Sequence, residues 1–167
     1  MKKVLISALV CVWIFSSCLK GDNNSTMCTY SACGFVARTS EIQAVQDYLT
    51  ANSITATQHC SGMFYTIDIQ GTGKMPDVCS TISVRYTGKL SNGTVFDQQS
   101  SPVSFNLTNL IAGWKNALPL INSGGKIHLY IPPSLGYGSQ DVRDSNGTIV
   151  VPANSILIFD IDLTAVQ

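Results

Sequence analysis

The chain has 167 residues, of which 45% are hydrophobic and 12% charged, and its formal net charge at pH 7 is zero. This length and composition suit one compact domain with a short appendage. Because no basic stripe is present, nucleic acid is not expected as a partner, and charge alone does not identify any other partner.

Residues 1–17 are predicted to be an export signal. A lysine pair precedes an apolar run from Val4 to Phe15, which is shorter than the stretch of about 20 residues that spans a bilayer. The motif FSSC that follows resembles the lipobox of bacterial lipoproteins, with Phe15 where Leu is usual. We therefore expect Cys18 to carry a lipid anchor in the cell envelope, with an ordinary signal and a chance cysteine as the alternative. With Leu19 rather than Asp after the cysteine, the chain resembles the enterobacterial sorting pattern, which implies delivery to the outer membrane and leaves the periplasmic or external face open.

Four further cysteines follow the predicted anchor: Cys28, Cys33, Cys60 and Cys79. Export would place them in an oxidising compartment, so two disulfides are expected. Loop closure favours the local pair Cys28–Cys33, although the sequence allows three pairings. A metal site that includes His59 is the alternative, but the cysteine spacing lacks the paired knuckles of zinc sites.

The segment between the predicted anchor and the main domain has two parts. Residues 18–39 begin polar and small and are predicted to be a tether. Residues 40–60 are predicted to hold an accessory helix and a connection, with Ser40 as the N-cap, because apolar residues such as Val45 and Leu49 recur at helical spacing. We expect this helix to be structural and to pack on the domain that follows.

Residues 61–167 alternate between apolar and polar side chains, as is typical of half-buried β-strands. One face of the first strand is predicted to consist of Met63, Tyr65, Ile67 and Ile69. The stretch SILIFDIDL is apolar on both faces and is predicted to be a central strand. Asn92-Gly93 predicts a hairpin, and NLIAGWKNAL predicts a short helix that Pro119 ends. The fold class is therefore α+β, a twisted antiparallel β-sheet wrapped around a short α-helix.

Four stretches of this domain carry a family resemblance. VRYTGKLSNGTVFD, LIAGW, IPPSLGYG and VPANSILIFDIDL resemble the FKBP-type peptidyl-prolyl cis-trans isomerases, in the family's order and close to its spacing. The resemblance covers residues 61–167 and implies an isomerase of proline-containing polypeptides that needs no cofactor or metal and can bind a rapamycin-like macrolide. The leading helix and tether also resemble exported FKBP-type lipoproteins of Gram-negative bacteria.

The resemblance also implies roles for individual residues. Trp114 is expected to form the floor of a proline pocket, and Tyr137 to donate its hydroxyl to a substrate carbonyl. The backbone N–H of Ile111 would bind a second carbonyl, while Asp97 would place a carboxylate beside the pocket. The other expected walls and rim of the pocket are Tyr86, Phe96, Leu110, Val151 and Phe159.

Some residues depart from the family pattern. Val103 stands where the family often has a pocket aromatic, which predicts a wider and less aromatic pocket. His128 is expected on the solvated face of its strand. The charges of the loop at residues 139–150 either steer polypeptides or keep the loop soluble. Two alternatives to catalysis stay open. Val103 favours a non-catalytic proline-peptide-binding or chaperone module, and the other alternative is a surface lipoprotein whose loops bind other ligands such as glycans or host proteins.

Overall fold

The computed structural model describes residues 28–167, so the predicted export signal, Cys18 and the first part of the predicted tether lie outside the described residues. The two α-helices are α1 (Thr39–Ala51) and α2 (Ala112–Ala117). The strands are β1 (Thr57–Gln58), β2 (Phe64–Ile69), β3 (Thr81–Leu90), β4 (Val95–Asn106), β5 (Gly125–Ile131), β6 (Val142–Arg143), β7 (Ile149–Val151) and β8 (Leu157–Val166). Short 3-10 turns lie at Leu107–Asn109, Leu118–Leu120 and Pro133–Leu135.

Six strands form one antiparallel sheet in the order β1-β2-β5-β8-β3-β4, and β6 and β7 form a separate hairpin. β8 lies between β5 and β3, which confirms the prediction of a central strand. The predicted hairpin is also confirmed, because the Leu90 N–H donates to the Thr94 carbonyl over 2.9 Å and Gly93 has a φ of 86°. The α+β class is therefore confirmed.

The main core lies between the sheet and α2. Inward-facing residues of β3, β5 and β8 pack with the buried apolar residues of α2 and the turn that follows it. Alternate residues of each strand point to this core, as the period of two requires. The buried members from these elements include Ile82, Val84, Trp114, Leu118, Ile127, Leu129, Leu157 and Ile161.

Helix α1 covers part of the opposite face of the sheet. Val45 and Leu49 of α1 pack against Phe64, Tyr130 and Ile158, which belong to three neighbouring strands. This second cluster explains why the β8 sequence is apolar on both faces. One strand face meets α2 and the other, at this end, meets α1.

The start of α1 differs from the prediction. The helix begins at Thr39 with Arg38 as its N-cap, so the prediction that Ser40 is the N-cap is wrong. The Arg38 carbonyl accepts the N–H groups of Glu41 and Ile42 over 2.9 and 3.0 Å, so the N-cap lies two residues earlier than predicted. Ser40 is consequently inside that turn, where its hydroxyl cannot act as the cap.

The predicted buried face of the first strand is only half right. Met63 is fully buried and Tyr65 packs against the main core. Ile67 and Ile69, however, are exposed. β1 pairs only with Phe64 and Tyr65, so the far end of β2 has β5 as its single neighbour strand and runs past the core.

Two disulfides attach the N-terminal segment to the domain, which confirms the expected oxidation of the four cysteines. The pairs are Cys28–Cys79 and Cys33–Cys60, with Cα–Cα distances of 5.9 and 5.5 Å. The prediction of a Cys28–Cys33 pair is therefore wrong. Each cysteine of the segment instead bonds a cysteine that precedes a strand of the sheet, and residues 28–38 of the predicted tether are fastened to the domain.

Among residues 28–167, the helices are too short and too polar to cross a membrane.

Candidate active site

A cavity of about 220 Å³ opens beside α2 on the core side of the sheet. Its lining comes from β3, β4, α2 with the residues before it, the turn after β5, and β8. The lining residues are Tyr86, Asp97, Phe105, Leu110, Ile111, Trp114, Tyr137 and Phe159. The structure thus brings together seven of the nine site residues that the sequence predicted, all except Phe96 and Val151.

Trp114 is the buried centre of the lining. Its ring stands perpendicular to the rings of Tyr86 and Phe159, each with its centroid 5.3 Å away. Gly113 allows α2 to approach the sheet this closely, because a Cβ at that position would lie 2.5 Å from the Ile131 side chain. Edge-to-face packing of this kind fixes the indole and leaves little freedom for its ring.

Phe105 is an aromatic wall that the sequence did not predict. Its ring centroid lies 6.2 Å from that of Tyr86 and 6.4 Å from that of Trp114. Val103 is absent from the lining and packs against the main core. The expectation of a less aromatic pocket with Val103 in the wall is therefore wrong.

A β-bulge explains why Phe105 takes the wall position. Tyr86 pairs with Gln99 and Val84 pairs with Val103, so residues 100–102 of β4 face the single residue Arg85 of β3. Such an insertion changes which side chain of a strand reaches a given point. Counting along the sequence motif does not reveal the bulge, although Pro102 is a residue type that is common at bulges.

Two predicted residues lie outside the lining. Phe96 packs edge to face on Phe159 with centroids 5.5 Å apart, so it contacts a wall residue from behind. Gly88 makes this contact possible, since a Cβ there would lie within 3 Å of both rings. Val151 was expected at the rim, but it is buried in the main core, where β7 pairs with β6.

Polar groups meet at the side of the cavity. The Tyr86 hydroxyl donates to the Asp97 carboxylate over 2.6 Å. Burial, and then the hydrogen bond to Asp97, raise the pKa of Tyr86. Burial and the nearby Asp97 charge likewise raise the pKa of Tyr137. Both phenols are therefore neutral hydrogen-bond donors at pH 7.

Ile111 lies at the N-cap of α2, and its carbonyl accepts the N–H of Trp114 over 3.1 Å. The N–H groups that begin a helix have no partner within the helix. They also carry the partial positive charge of the helix N-terminus. The start of α2 can therefore offer a backbone donor beside the aromatic floor, which suits a carbonyl oxygen.

The charges of residues 139–150 are bonded within their own hairpin. Arg143 contacts Asp141 over 3.3 Å and donates to the Gly147 carbonyl over 2.9 Å. The Asp144 carboxylate accepts the N–H groups of Asn146 and Thr148. These contacts favour a role in holding the hairpin together over a role in steering polypeptides.

His128 lies on the outer face of the sheet, as predicted, but it is more than a solvated side chain. Its two ring nitrogens lie 2.6 Å from Asp160 and 2.7 Å from Asp68. Lys89 bonds the other oxygen of Asp160 over 2.7 Å. These four residues form a charged ladder across β2, β5, β8 and β3, away from the cavity.

Two groups of side chains in residues 28–167 have the residue types of metal ligands: Cys33, His59 and Cys60, and Cys28, Asp77 and Cys79. Each group contains both sulfurs of a disulfide. A disulfide sulfur is not a thiolate, and the thiolate is the form that binds metal. The disulfide interpretation of these cysteines therefore accounts for both groups without a metal.

Residues 73–164 match the family model of the FKBP-type peptidyl-prolyl cis-trans isomerases. The chain belongs to this family. The matched range contains all the residues that line the cavity, and it begins after α1 and both disulfide-bonded cysteines of the N-terminal segment.

Relatives of known name agree with the family match. A probable FKBP-type peptidyl-prolyl cis-trans isomerase of Haemophilus influenzae is 40% identical over 124 residues, which are 72% of this chain and 48% of that protein. The isomerase FkpA of Escherichia coli is 38% identical over 110 residues, 64% of this chain and 38% of that protein. The chain thus spans about half the length of these relatives or less.

Solved structures show the same fold. A peptidyl-prolyl cis-trans isomerase of Pseudomonas syringae has a TM-score of 0.66 at 31% identity, covering 80% of this chain and 99% of that one. FkpA of Escherichia coli has a TM-score of 0.65 at 32% identity, covering 77% of this chain and 60% of that one. The FKBP-type family is therefore supported by sequence and by structure.

Proposed function

We propose that the protein is an exported peptidyl-prolyl cis-trans isomerase that assists the folding of proline-containing polypeptides. The observation that carries this proposal is the aromatic cavity, whose floor and walls are rigid rings and whose polar atoms are a few fixed donors and one carboxylate. Family membership supports the reaction type. Rotation about an X-Pro bond makes and breaks no covalent bond, so this site needs neither a nucleophile nor a metal.

The reaction has one physical obstacle, the loss of amide resonance when the bond is twisted. The barrier for a peptide bond is about 18 to 20 kcal/mol. A site lowers it by binding the twisted amide better than either planar isomer. In our proposal Trp114 supports the pyrrolidine ring, and the apolar walls exclude the water that stabilises the planar amide.

Donors at the cavity hold the substrate carbonyls. We assign this role to the Tyr137 hydroxyl and to the backbone N–H of Ile111, because both belong to the cavity lining and both are neutral donors. Asp97 fixes the Tyr86 hydroxyl, which keeps that ring in the wall. Fixed donors stabilise a rotated carbonyl without reorganising during the reaction.

The non-catalytic alternative loses the support of the residue that suggested it. The non-catalytic module was suggested by the missing aromatic at Val103, whereas Phe105 supplies a ring to the wall. The loop-binding alternative predicts an activity that survives when the proline pocket is blocked, and the charges of residues 139–150 offer it little support because they are bonded within the hairpin. Catalysis is therefore the function that the site geometry favours.

A proline-peptide isomerisation assay tests the proposal. We expect the wild-type chain to accelerate isomerisation and a rapamycin-like macrolide to inhibit it competitively. Tyr137→Phe should lower kcat/KM about fivefold, because one neutral hydrogen bond to the transition state is lost, worth about 1 kcal/mol. Tyr48→Phe is the matched control on α1 and should leave kcat/KM unchanged. A folded wild-type chain without activity at micromolar concentration would refute the enzyme and favour the binding module.

Export and anchoring form a second part of the proposal. We propose that residues 1–17 are removed, that Cys18 is acylated, and that the protein is held at the outer membrane, with residues 61–167 as the isomerase domain. Several acyl chains anchor stably where one chain is marginal. Intact mass and membrane fractionation should show the lipid on the wild-type protein and its loss in Cys18→Ala. A soluble wild-type protein without lipid contradicts the anchor but leaves the isomerase proposal intact.

A further inference from the structure

The accessory helix contacts the turn that carries a pocket residue. The Glu41 carboxylate, in the first turn of α1, accepts the backbone N–H of Ser134 over 3.1 Å and the Ser134 hydroxyl over 2.5 Å. Its side chain is only 13% exposed. Hydrogen bonds to a charged acceptor are about twice as strong as neutral ones, so this contact is a firm one for a single side chain.

Ser134 belongs to a tight turn, Pro133–Leu135, that leads directly to Tyr137. The Pro133 carbonyl accepts the N–H of Gly136 over 2.9 Å and that of Gly138 over 2.8 Å. Tyr137 is held between these two bonded glycines. A shift of Ser134 would therefore move the backbone from which the Tyr137 side chain extends.

Tyr137 needs such support more than the other pocket rings do. It is 41% exposed, whereas Trp114 and Phe159 are buried. Packing alone fixes a buried ring, but an exposed one keeps its place mainly through its backbone. The Gly138 carbonyl accepts the Asn154 N–H over 2.8 Å, which ties the far end of the turn to the segment before β8. Glu41 ties the near end.

We propose that Glu41 is a positioning residue for the isomerase reaction, acting through Ser134 on the Tyr137 hydroxyl. Helix α1, which the sequence analysis predicts to be purely structural, thereby helps to set the geometry of the pocket. This inference rests on the proposed function. Arg38 contributes little to it, because its ion pair with Glu41 spans 3.6 Å and the Arg38 side chain is 77% exposed.

A double-mutant cycle separates positioning from a general effect on the fold. We expect Glu41→Ala to lower kcat/KM about two- to fivefold in the full chain, up to the loss expected for Tyr137→Phe, since a charged hydrogen-bond acceptor that positions the hydroxyl is lost. Glu41→Gln keeps one acceptor oxygen and should retain intermediate activity. In the Tyr137→Phe background the same two changes should have little further effect, because the hydroxyl that they position is already gone.

Two further variants keep the test valid. Ser134→Ala removes only the hydroxyl donor and leaves the N–H, so its loss of kcat/KM should be smaller than that of Glu41→Ala. It tests the same contact if Glu41→Ala folds poorly. Val45→Ala is the matched control on α1. Val45 is fully buried in the second cluster, beside Phe64 and Tyr130, and not beside Ser134. It should lower the free energy of unfolding while the folded protein keeps its kcat/KM.

The outcomes distinguish the positioning role of Glu41 from the isomerase activity itself. An active wild type in which Glu41→Ala has no effect, or has the same effect with and without the Tyr137 hydroxyl, overturns the positioning role and leaves the isomerase proposal standing. A wild-type chain without isomerase activity overturns the proposed function itself. We expect losses only in the protein that keeps the Tyr137 hydroxyl, smaller for Glu41→Gln than for Glu41→Ala.

Discussion

Phe105 contacts both the floor and a wall of the cavity with one ring, since it packs on Trp114 and on Tyr86. We expect Phe105→Ala to lower kcat/KM for a proline peptide about tenfold and to lower the free energy of unfolding by about 2 kcal/mol, because the ring is only partly buried. Steady-state kinetics and denaturant unfolding provide the two measurements.

Val103→Ala is the matched control, two residues earlier on the same strand. It should cost about 1 kcal/mol of stability, as expected for a small truncation against the core, and leave kcat/KM unchanged. If the Val103 change lowers activity as much as the Phe105 change does, the wall position belongs to Val103 after all.

Sequence reasoning at this scale works where a residue type and a regular spacing coincide. Trp114 and Tyr86 are placed by the helical and strand periods, and Tyr137 by its motif. Phe105 escapes because a bulge of three residues against one changes the register. Val151 and Phe96 lie one layer farther from the cavity than the family resemblance implied, because a matching motif gives a residue's place along the chain but not its depth in the fold.

At the scale of elements, the disulfides join an N-terminal segment to the starts of two strands that are not neighbours, β2 and β3. The entropic cost of closing a loop grows only as the logarithm of the number of residues in the loop. Closing about 50 residues instead of about 5 costs roughly 2 kcal/mol more. Packing of the segment on the domain, including the buried Ala37 and the 2.7 Å bond from Tyr30 to Asn116 of α2, offsets a cost of that size.

Reduction should therefore destabilise the folded domain. The bonds close sequence separations of 51 and 27 residues, for which the chain-entropy model gives about 3 to 4 kcal/mol each. We expect a reductant to lower the melting temperature by several degrees at least. Peptide mapping of the oxidised protein should recover the two cross-links, and free thiols in the oxidised protein would contradict them.

At the scale of the whole molecule, the outer sheet face carries α1 over part of its area and, directly beside it, the ladder of Asp68, His128, Asp160 and Lys89. Burial alone would lower the pKa of His128, but its hydrogen bonds to Asp160 and then Asp68 outweigh burial, so the pKa is raised. The folded chain thus holds this proton more tightly than the unfolded chain does.

The sign of the pH dependence follows from this shift. The stability that protonated His128 adds is fully present below the unfolded pKa of about 6.5 and is lost as pH rises through the higher folded value. We expect the difference in unfolding free energy between wild type and His128→Gln to shrink as the pH rises from about 6 to about 9. Denaturant unfolding at several pH values measures it. A constant difference would show that the ladder does not depend on the proton.

His59, the other histidine, also has a shifted pKa, but it does not affect the comparison of wild type with His128→Gln. Burial lowers the pKa of His59, so its own contribution has the opposite sign and is lost as the pH falls. Both proteins keep His59, and its contribution cancels in the difference. The ladder itself could not be predicted from the sequence, because alternation shows only that His128 faces outward, whereas its partners come from strands 60 and 32 residues away.

The Cys28–Cys79 bond has a further consequence if Cys18 carries the anchor. Since the chain is fastened to the domain at Cys28, only about ten residues separate the lipid from the folded body, and even fully extended they reach about 35 Å. That distance is comparable to the thickness of a bilayer's hydrocarbon core, about 30 Å. The folded domain would then stay within a thin shell of solvent next to the membrane, so only polypeptides that come into this shell could reach its cavity. Reduction of this one bond would lengthen the tether by the five residues up to Cys33, the next covalent attachment, and would widen the shell.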